Sequence, residues 1–392
     1  MRLGIDASNI RAGGTTTHLI EILRAARPCD AGFDEVVIWG GSAVLNRIEG
    51  RPWLTKETPA LLEQAANPYR DHRHFLRAYW QQFSLPRLAR ARGLDILFVP
   101  GGMDNSGFHP LVTMSRNMLV FDTGEASRYG WSFAGVRLRL LRYLQTRTFR
   151  RADGLIFLTE YARSMVAPMA SIDIGKTVVV PHGVSSKFCF PPRTQRAITE
   201  YSDSEPFKIL YVSTVDLYKH QWHVIDAIVR LRAAGLPVRL DLVGPGYPAG
   251  MARLTEALAS LGPDRAFVEY RGAAPYDTLH SLYGQADLKV FASSCENMPN
   301  ILLEGMMAGL PIACSNRGPM PEVLGDAGVY FDPEKPEQIA QAIASLVSSP
   351  ELRKRNATRA FALAAQYSWE RCARETFGFL ARCSRERSKW TS

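Results

Sequence analysis

Short apolar runs alternate with amphipathic stretches along most of this chain. Runs typical of strands lie at 2–7, 35–40, 95–100, 111–115, 154–159, 177–180, 207–213, 238–243, 290–292 and 312–314. Between them, apolar residues recur at helical spacing, as at Leu19, Ile22 and Leu23. Strands that alternate with helices favour parallel sheets, which bind ligands at the carboxyl ends of their strands. The pattern therefore predicts an α/β fold.

The stretch 289–315 shows this alternation in its most compact form. A polar loop at 293–298 follows an apolar run, and a short helix and a second strand come after it. Pro299 and Asn300 suit the first turn of the helix, because the N–H that proline lacks would be unpaired there. Gly309 is a typical residue just past a helix end. The stretch is predicted to be strand, loop, helix and strand.

Two carboxylates of this stretch, Glu296 and Glu304, are eight residues apart in sequence. If both were helical, they would be about 12 Å apart along the axis. A retaining glycosidase needs its two carboxylates about 5 Å apart, so this spacing does not fit one. It suits an elongated ligand held at two points, with N–H groups of the helix start facing an anion between them. By itself, the stretch is equally typical of a helix cap and a solvated glutamate.

The arrangement E-x7-E, followed by an apolar helix, G-x-P and a strand, resembles the signature of family 4 glycosyltransferases. The block at 316–333, NRGPMPEVLGDAGVYFDP, matches the block that follows in that family. The resemblance runs from the first strand to about Trp369 and is most specific over 286–333. It implies the GT-B fold, which is α/β with two Rossmann-like domains that face each other across a cleft.

The resemblance also implies a domain plan. Residues 1–190 are expected to form an acceptor-side domain, and 207–365 a domain that binds the nucleotide sugar. The polar, proline-containing run at 191–206 is typical of a linker. Residues 366–392 are expected to form a helix that returns to the N-terminal domain.

Catalytic roles are implied for Glu296, near the donor sugar, and for Lys219, on the donor phosphates. Glu304 is expected to bind the ribose hydroxyls. The family usually has an arginine five residues before the lysine, but this chain has Thr214 there. That change weakens a clamp in which each charge-assisted hydrogen bond is worth about 1.5–3 kcal/mol. The missing charge comes from Arg271 or from no residue.

A glycine pair opens the first predicted helix, and by resemblance this loop lies over the donor diphosphate. Alone, such a pair more often marks a tight turn. His18, at the helix start, is expected either to face the cleft or to lie on the surface. The family often has a histidine near the donor sugar, but the comparable place reads Ser115-Arg116-Asn117, so no residue takes that role here. The expected nucleotide-binding residues are Gly13, Gly14, Gly244, Arg271, Met298, Pro299, Asn300, Ile301 and Glu304.

No metal site is predicted. The chain has no D-x-D triplet, and the family resemblance implies that no metal is needed. His220 and His223 have helical spacing, but we expect no cysteine or carboxylate to join them as a metal ligand. The six cysteines are scattered and form no C-x-x-C pair, which favours a reducing cytosol over disulfides.

The formal net charge of +9 favours an anionic partner. The segment 137–151 holds six arginines and no acid, and 66–93 is rich in Arg, His and aromatic residues. Both are typical of solvated helix faces, or of docking on an anionic membrane that carries a lipid-linked acceptor. In the second case each basic residue contributes about 1 kcal/mol. The apolar runs are shorter than the roughly 20 residues of a membrane span, and the strand-like start is unlike a signal peptide.

We therefore expect a retaining, metal-independent hexosyltransferase, cytoplasmic and peripheral on the inner face of the cell membrane. It would move a hexose from GDP-mannose or a UDP-sugar to a glycan or lipid-linked acceptor, as in lipopolysaccharide assembly. No cofactor is expected besides this donor substrate, and no oligomeric state follows. One alternative is a phosphorylase-like or other sugar-nucleotide enzyme on the same fold, although phosphorylases are much longer. Another is a basic nucleic-acid-binding protein, but no known module of that class is recognisable.

Overall fold

The computed structural model of the chain describes residues 1–11, 13–66, 73–262 and 265–391. Over these residues the predicted alternation forms one seven-stranded and one six-stranded sheet, with all strand pairs parallel. Residue 12 of the glycine loop and residues 67–72 of the basic stretch lie outside the described residues. The α/β prediction is confirmed.

The first sheet has the strand order β3-β2-β1-β4-β5-β6-β7. This is the doubly wound order, which reverses direction between β1 and β4. Its strands are β1 (Arg2–Asp6), β2 (Glu35–Trp39), β3 (Leu54–Glu57), β4 (Ile96–Val99), β5 (Leu111–Met114), β6 (Gly154–Phe157) and β7 (Thr177–Val179). The helices in this part of the chain are α1 (Gly14–Ala25), α2 (Ser42–Leu45), α3 (Ala60–Ala66), α4 (Arg73–Tyr79), α5 (Leu85–Ala91), α6 (Thr123–Ser127), α7 (Phe133–Arg151) and α8 (Glu160–Ala170).

The second sheet repeats this topology, with the order β10-β9-β8-β11-β12-β13 and a reversal between β8 and β11. Its strands are β8 (Phe207–Val212), β9 (Val238–Val243), β10 (Val268–Tyr270), β11 (Leu288–Phe291), β12 (Ile312–Ser315) and β13 (Val329–Phe331). The remaining helices are α9 (Gln221–Ala233), α10 (Pro248–Ser260), α11 (Tyr276–Gln285), α12 (Asn300–Met307), α13 (Met320–Leu324), α14 (Pro336–Ser348), α15 (Pro350–Ala364) and α16 (Trp369–Thr391).

The chain divides into two compact units, each built on one sheet. The first unit comprises Met1–Phe121, Tyr129–Gly183 and Ser368–Ser392, and the second comprises Asp122–Arg128 and Val184–Tyr367. Helix α6 thus belongs to the second unit although its neighbours in sequence belong to the first. Helix α16 belongs to the first unit. The sequence predicts the end of the first domain at residue 190, and the chain leaves the first unit earlier, at Gly183.

The predicted linker, 191–206, is fixed to the second unit by hydrogen bonds. Arg193 donates to the carbonyl oxygens of Gly284, at 2.9 Å, and Ala286. Arg353 of α15 is fully buried and donates to the Gln195 side chain at 3.0 Å. A segment with these partners is part of the second unit's packing, and its role as a linker stays a prediction.

Three strands differ from expectation, because β3, β10 and β13 have no counterpart among the predicted runs. All three lie at a sheet edge, and β3, with the sequence LTKE, offers a single strongly apolar residue. The terminal helix, expected over 366–392, is found at Trp369–Thr391. Short edge strands carry the weakest periodic signal, and these are the strands that differ.

Close packing joins α16 to the first sheet. A side chain at Gly154 of β6 would lie 2.7 Å from the Cys383 sulfur and 2.8 Å from the Phe379 ring, so glycine is needed there. On the same unit, the buried rings of Trp39 and Trp80 lie 6.4 Å apart within the core. Among the described helices, none is both long and apolar enough to cross a membrane.

Candidate active site

The second unit brings together two side chains that leave neighbouring strands at the reversal of the sheet. Lys219 lies in the connection after β8, and Glu296 in the loop after β11. Their ammonium and carboxylate groups form an ion pair, with 6% and 16% of the side chains exposed. In doubly wound sheets the crevice at this edge is the usual place for a ligand. The two residues predicted to be catalytic thus meet there.

The backbone around Lys219 is held on both sides. The residues Leu217–Lys219 form one 3-10 turn, whose first amide donates to the Asp216 carboxylate at 2.7 Å. The buried Tyr211 hydroxyl donates to the Lys219 carbonyl oxygen at 2.6 Å. His220 follows with a φ of 51° and starts α9. These bonds fix the direction in which the lysine leaves the chain.

The loop that carries Glu296 is tied to the same turn. The Ser294 amide donates to the carbonyl oxygen of Tyr218 at 2.9 Å. The Ser294 hydroxyl and His220 Nε2 are 2.9 Å apart, within hydrogen-bonding distance. Hydrogen bonds therefore hold the loop and the turn together, and they carry Glu296 and Lys219, respectively.

Helix α12 begins at Asn300, as predicted, directly after Pro299. The amide of Asn300 donates to the Met298 carbonyl at 3.0 Å, and the amides of Leu302 and Leu303 donate to that of Pro299. Among the first amides of the helix, that of Ile301 has no partner among the described residues. Of the four consecutive residues predicted to bind nucleotide, Met298 and Ile301 have amides without a partner among the described residues, and that of Ile301 lies in the first turn of the helix.

Glu304 lies one turn into α12 and is 7% exposed. The Tyr283 hydroxyl donates to its Oε2 atom at 3.0 Å, and the ammonium of Lys289 donates to that hydroxyl at 3.4 Å. Burial raises the pKa of the Glu304 carboxyl, and the charge of Lys289 opposes this rise. Neither Tyr283 nor Lys289 was singled out from the sequence. Lys289 could have been found from the sequence, because a lysine inside an apolar strand is unusual.

Gly244 directly follows β9 and has a φ of 148°. A side chain there would lie 2.1 Å from the carbonyl oxygen of Ser213, so the two strand ends approach closely because this residue is glycine. Its amide donates to the carbonyl oxygen of Gly272 at 2.8 Å. The structure thus gives Gly244 a structural role, and nucleotide binding by it stays a prediction.

The structure does not place Arg271 with the Lys219–Glu296 pair. Its guanidinium pairs with Asp241 at 2.9 Å and lies 3.4 Å from Glu269. It lines a separate cavity of about 140 Å³, whose other lining residues are Lys208, Ile209, Leu210, Arg239, Asp241, Leu282, Gln285 and Ala286. Two carboxylates already compensate its charge, so Arg271 does not supply the charge missing at Thr214, and nucleotide binding by Arg271 stays a prediction.

Two other arginines, each already paired with a carboxylate, act on His220, the residue after Lys219. Arg128 and Arg317 both lower the pKa of the neighbouring His220, although burial is the larger cause, followed by His223. Together these effects bring that pKa to about 3, so His220 is neutral near pH 7. Arg128 comes from α6's segment and Arg317 from the chain after β12. Their positions depend on the fold, and no local pattern around Thr214 points to them.

The structure corrects one reason given for the absence of a metal site. Ligand atoms of Glu125, His220 and Glu334 lie within 4.8 Å of one another, although the carboxylates are distant in sequence. The guanidinium of Arg128, however, pairs with Glu125 at 2.7 Å and with Glu334 at 2.6 Å. An internal cation therefore already pairs with both carboxylates. The expectation that the chain has no metal ligands stays a prediction.

In the first unit, the glycine pair lies at the start of α1. Gly13 has a φ of 71°, and no atom lies within 4 Å of the position of a side chain there. Arg116, just beyond β5, donates to the Gly14 carbonyl at 3.1 Å and lies 2.8 Å from His18 Nδ1. At the place where the family often has a histidine, this chain thus has an arginine beside the glycine loop.

His18 is fully buried, so the expectation that it lies on the surface is wrong. Its ring stacks on that of His182 at 4.5 Å and lies 5.8 Å from the Trp369 ring. Burial lowers the pKa of His18 well below its usual value, and the charge of Arg116 lowers it further. Burial also lowers the pKa of the Arg116 guanidinium, to about 10. A neutral His18 accepts a hydrogen bond from that guanidinium.

Two family models match successive parts of the chain. The model for "Glycosyltransferase Family 4" matches residues 12–188, and the model for "Glycosyl transferases group 1" matches residues 177–362. Together they span residues 12–362, so the matches cover both units.

Curated relatives match at modest identity. The O-antigen chain mannosyltransferase B of Escherichia coli is 25% identical over 241 residues, which are 60% of this chain and 63% of that protein. A GDP-mannose-dependent alpha-(1-6)-phosphatidylinositol dimannoside mannosyltransferase of Mycobacterium tuberculosis is 30% identical over 235 residues, 59% of this chain and 58% of that protein. The chain thus spans about three fifths of the length of these relatives.

Solved structures share the fold over almost the whole chain. Sucrose-phosphate synthase from Thermosynechococcus elongatus has a TM-score of 0.73 at 17% identity, covering 96% of this chain and 97% of its own. WaaG, a glycosyltransferase involved in lipopolysaccharide biosynthesis, has a TM-score of 0.69 at 16% identity, covering 97% and 99%. Anabaena HepE in complex with UDP-glucose has a TM-score of 0.67 at 18% identity, covering 96% and 99%. With the family models and the two Rossmann-like units, the predicted resemblance is confirmed: the chain belongs to the group 1, family 4 glycosyltransferases and has the GT-B fold.

Proposed function

We propose that this protein transfers a hexose from a nucleotide-diphosphate sugar to a glycan or lipid-linked acceptor, as in cell-surface polysaccharide assembly. The observation that carries the proposal is the mostly buried Lys219–Glu296 pair at the reversal of the second sheet. A cation and an anion on adjacent loops, close to the start of α12, match a donor that has a diphosphate at one end and a sugar at the other.

The chemistry follows from the charge that develops during transfer. When the sugar leaves, negative charge builds up on the diphosphate, and a fixed cation stabilises it best where water is largely excluded. Lys219 supplies that cation, and the free amide of Ile301 adds a donor at a helix start. Glu296 holds the ammonium in place and faces the donor sugar. Since the charge comes from side chains, the reaction needs no metal.

Glu304 is proposed to bind the ribose of the donor. Tyr283 occupies its Oε2 atom, which leaves the second oxygen, Oε1, for ligand hydroxyls. Each carboxylate oxygen can accept two hydrogen bonds, so Oε1 alone can accept from both hydroxyls of a vicinal diol. Its buried position makes these hydrogen bonds stronger than they would be in water.

The donor is proposed to be GDP-mannose or a UDP-sugar, and the anomeric configuration to be retained. The name of the Mycobacterium relative specifies GDP-mannose, which supports the first donor. The solved structure of Anabaena HepE contains UDP-glucose, which keeps the second open. Retention follows the family resemblance, in which Glu296 lies near the donor sugar.

The acceptor is proposed to lie at an anionic membrane, on which α7 docks at the inner face of the cell membrane. Trp131 and Phe133 are 85% and 86% exposed, and Tyr143 is 65% exposed. The Arg139 guanidinium lies 4.0 Å above the Trp131 ring. Aromatic rings interleaved with unpaired arginines are typical of helices that lie in the headgroup region. In the basic stretch 66–93, Phe75 of α4 is 76% exposed.

The proposal is tested by binding and by turnover. Calorimetry with GDP, UDP and ADP should show one nucleotide with a Kd in the micromolar range, and the matching sugar nucleotide should be hydrolysed slowly without acceptor. Glu296→Gln should abolish this hydrolysis. Lys187→Met, which removes an exposed lysine of the same unit, should leave it unchanged. No binding of any of the three at about 1 mM would overturn the proposed function.

Retention is tested separately on the product. With an acceptor in hand, the anomeric configuration is read from the proton coupling at C1 of the transferred sugar. An inverted product would overturn retention and the role of Glu296, but not the transfer of a sugar. Activity that is unchanged by a chelator is expected, and loss of activity with recovery on adding Mg²⁺ would overturn metal independence.

A further inference from the structure

Lys289 is an unusual residue for its place. It lies in the middle of β11 in register with Ile312 of β12 and is fully buried. An ammonium ion out of water costs several kcal/mol unless other groups compensate its charge. Burial lowers the pKa of Lys289, to about 7, and the charge of Glu304 opposes this fall, so the ammonium form depends on the Glu304 carboxylate.

The helix above the strand is shaped to admit this lysine. A side chain at Gly305 of α12 would lie 2.1 Å from Lys289 Cδ and 2.9 Å from Cε. Glycine inside a helix is about 1 kcal/mol less favourable than alanine. Glycine lies where the Lys289 side chain crosses the helix, so the space that Gly305 leaves is filled by Lys289.

The ammonium reaches Glu304 through one hydroxyl group. Lys289 Nζ donates to the Tyr283 hydroxyl at 3.4 Å, and that hydroxyl donates to Glu304 Oε2 at 3.0 Å. Burial, and then the charge of Glu304, raise the pKa of Tyr283 well above its usual value, so the hydroxyl keeps its proton and stays a donor. A chain of hydrogen bonds that starts at a cation polarises each bond along it.

We propose that Lys289 is a positioning residue for nucleotide binding. Through Tyr283 it keeps the Glu304 carboxylate ionised and turned so that its free oxygen meets the ribose hydroxyls. This inference rests on the proposed function, because it assumes that Glu304 binds a ribose. It concerns a residue that touches no ligand and acts only through Glu304.

Other titratable groups lie around Lys289 and Glu304. They are Lys219 from the turn after β8, Cys314 from β12, Tyr276 and Tyr283 from α11, and Glu296 from the loop after β11. Burial raises the pKa of Glu304, and Lys289 is the charge that opposes this rise. Without Lys289, Glu304 takes up a proton at a higher pH. Binding that needs the carboxylate is then lost at a higher pH as the solution is acidified.

The test compares probes with and without ribose hydroxyls. Calorimetry of the full chain uses GDP and UDP, each beside its 2′,3′-dideoxy analogue, at several pH values. Two hydrogen bonds to a carboxylate predict that the wild type prefers the ribose form by about 10- to 100-fold. In Lys289→Met this preference should fall about tenfold near pH 7 and recover at higher pH, since one unit of pKa corresponds to a factor of ten.

Two further variants separate positioning from stability. Lys289→Val combined with Gly305→Ala refills the space above the strand, so this variant should fold well and still lose the preference. Arg353→Met removes another fully buried cation of the same unit and should keep the preference at every pH, even with lower stability.

The outcomes are distinct. If the wild type binds neither GDP nor UDP, the proposed function is overturned, and the inference with it. If the wild type prefers ribose and both Lys289 variants prefer it equally at every pH, the inference is overturned while the proposed function stands. An equal loss of preference in Arg353→Met would also overturn it, since destabilisation alone would then explain the effect.

Discussion

Lys219 and Glu296 depend on each other, because each is mostly buried and compensates the charge of the other. Removing one partner of such a pair leaves an unpaired charge, which is more costly than removing both. Lys219 also has a different role in the free protein and in the protein with bound donor. In the free protein the ammonium neutralises Glu296, and in the proposed reaction it must in addition serve the diphosphate.

We predict that Lys219→Ala lowers turnover about 100-fold, the usual effect of removing one fixed donor from developing charge. Lys219→Arg should retain more activity, since it keeps the charge. Thr214→Arg, at the end of β8, should partly rescue Lys219→Ala by restoring a cation to the site. Steady-state kinetics with the sugar nucleotide measure all three, and equal turnover of Lys219→Ala and wild type would remove Lys219 from the mechanism.

At this scale, the family resemblance gave the candidate site residues, and local spacing gave the elements that carry them. The start of α12 follows from proline, glycine and apolar spacing within one short stretch. The pairing of Lys219 with Glu296 depends on β8 and β11 being neighbours, which only the strand order reveals. The ion pairs of Arg271 with two carboxylates likewise join segments far apart in sequence. The same holds for Arg116, which lies beside the glycine loop.

Among the elements, α7 has an unusual surface. Its buried side is formed by residues such as Leu138 and Phe149, while Val136 and Leu140 on other sides are 49% and 56% exposed. In the described part of the chain, Arg137, Arg139, Arg142 and Arg147 have no acidic partner. A surface suited only to water would more usually carry both signs of charge.

We predict that changing Arg139, Arg142 and Arg147 together to Gln reduces sedimentation with vesicles that contain anionic lipid. Three basic residues near such a surface are worth about 3 kcal/mol. The difference should shrink at high salt, where screening already weakens the attraction. Nucleotide affinity should not change, because the proposed nucleotide site lies in the second unit.

A matched control comes from α15. Lys354, Arg355 and Arg359 are exposed there, and changing all three to Gln removes the same charge from another surface. If this control loses vesicle binding to the same degree, net charge explains the effect. If the α7 variant binds vesicles like wild type, its arginines are a solvated face.

The elements themselves were predictable wherever the periodic signal was strong. The strands predicted from apolar runs lie within a few residues of their predicted bounds. The segment 191–206 shows why composition alone misleads: it is polar and contains proline, yet Arg193 and Arg353 fasten it to the second unit. Its partners lie about 90 and 160 residues away along the chain, outside the range of any local pattern.

Each unit of the whole molecule contains a buried histidine that is neutral near pH 7. Burial is the main cause in both, and it lowers the pKa of His18 and of His220. In the unfolded chain a histidine binds a proton below about pH 6.5. Since the folded state does not bind it there, each of these histidines costs stability as the pH falls below that value.

We predict that His220→Asn gains stability relative to wild type by about 2 kcal/mol between about pH 7 and pH 5. Asparagine tolerates the φ of 51° at this position better than other replacements do. The raised pKa of Glu304 acts in the opposite direction, so the difference between the two proteins is the quantity predicted. Urea unfolding at both pH values measures it, and an equal acid-induced loss in both proteins would contradict the role of His220.

The division of the chain between the units has a consequence for its synthesis. The first unit draws on residues from Met1 onward, but it also needs α16, which begins after Ser368 and packs on α1 and β4. The second unit ends at Tyr367. As the polypeptide leaves the ribosome, the unit that is begun first is therefore completed last. Until α16 emerges, the apolar surface that it covers stays open, and a nascent chain that has left the ribosome only as far as residue 367 presents a finished second unit and an unfinished first.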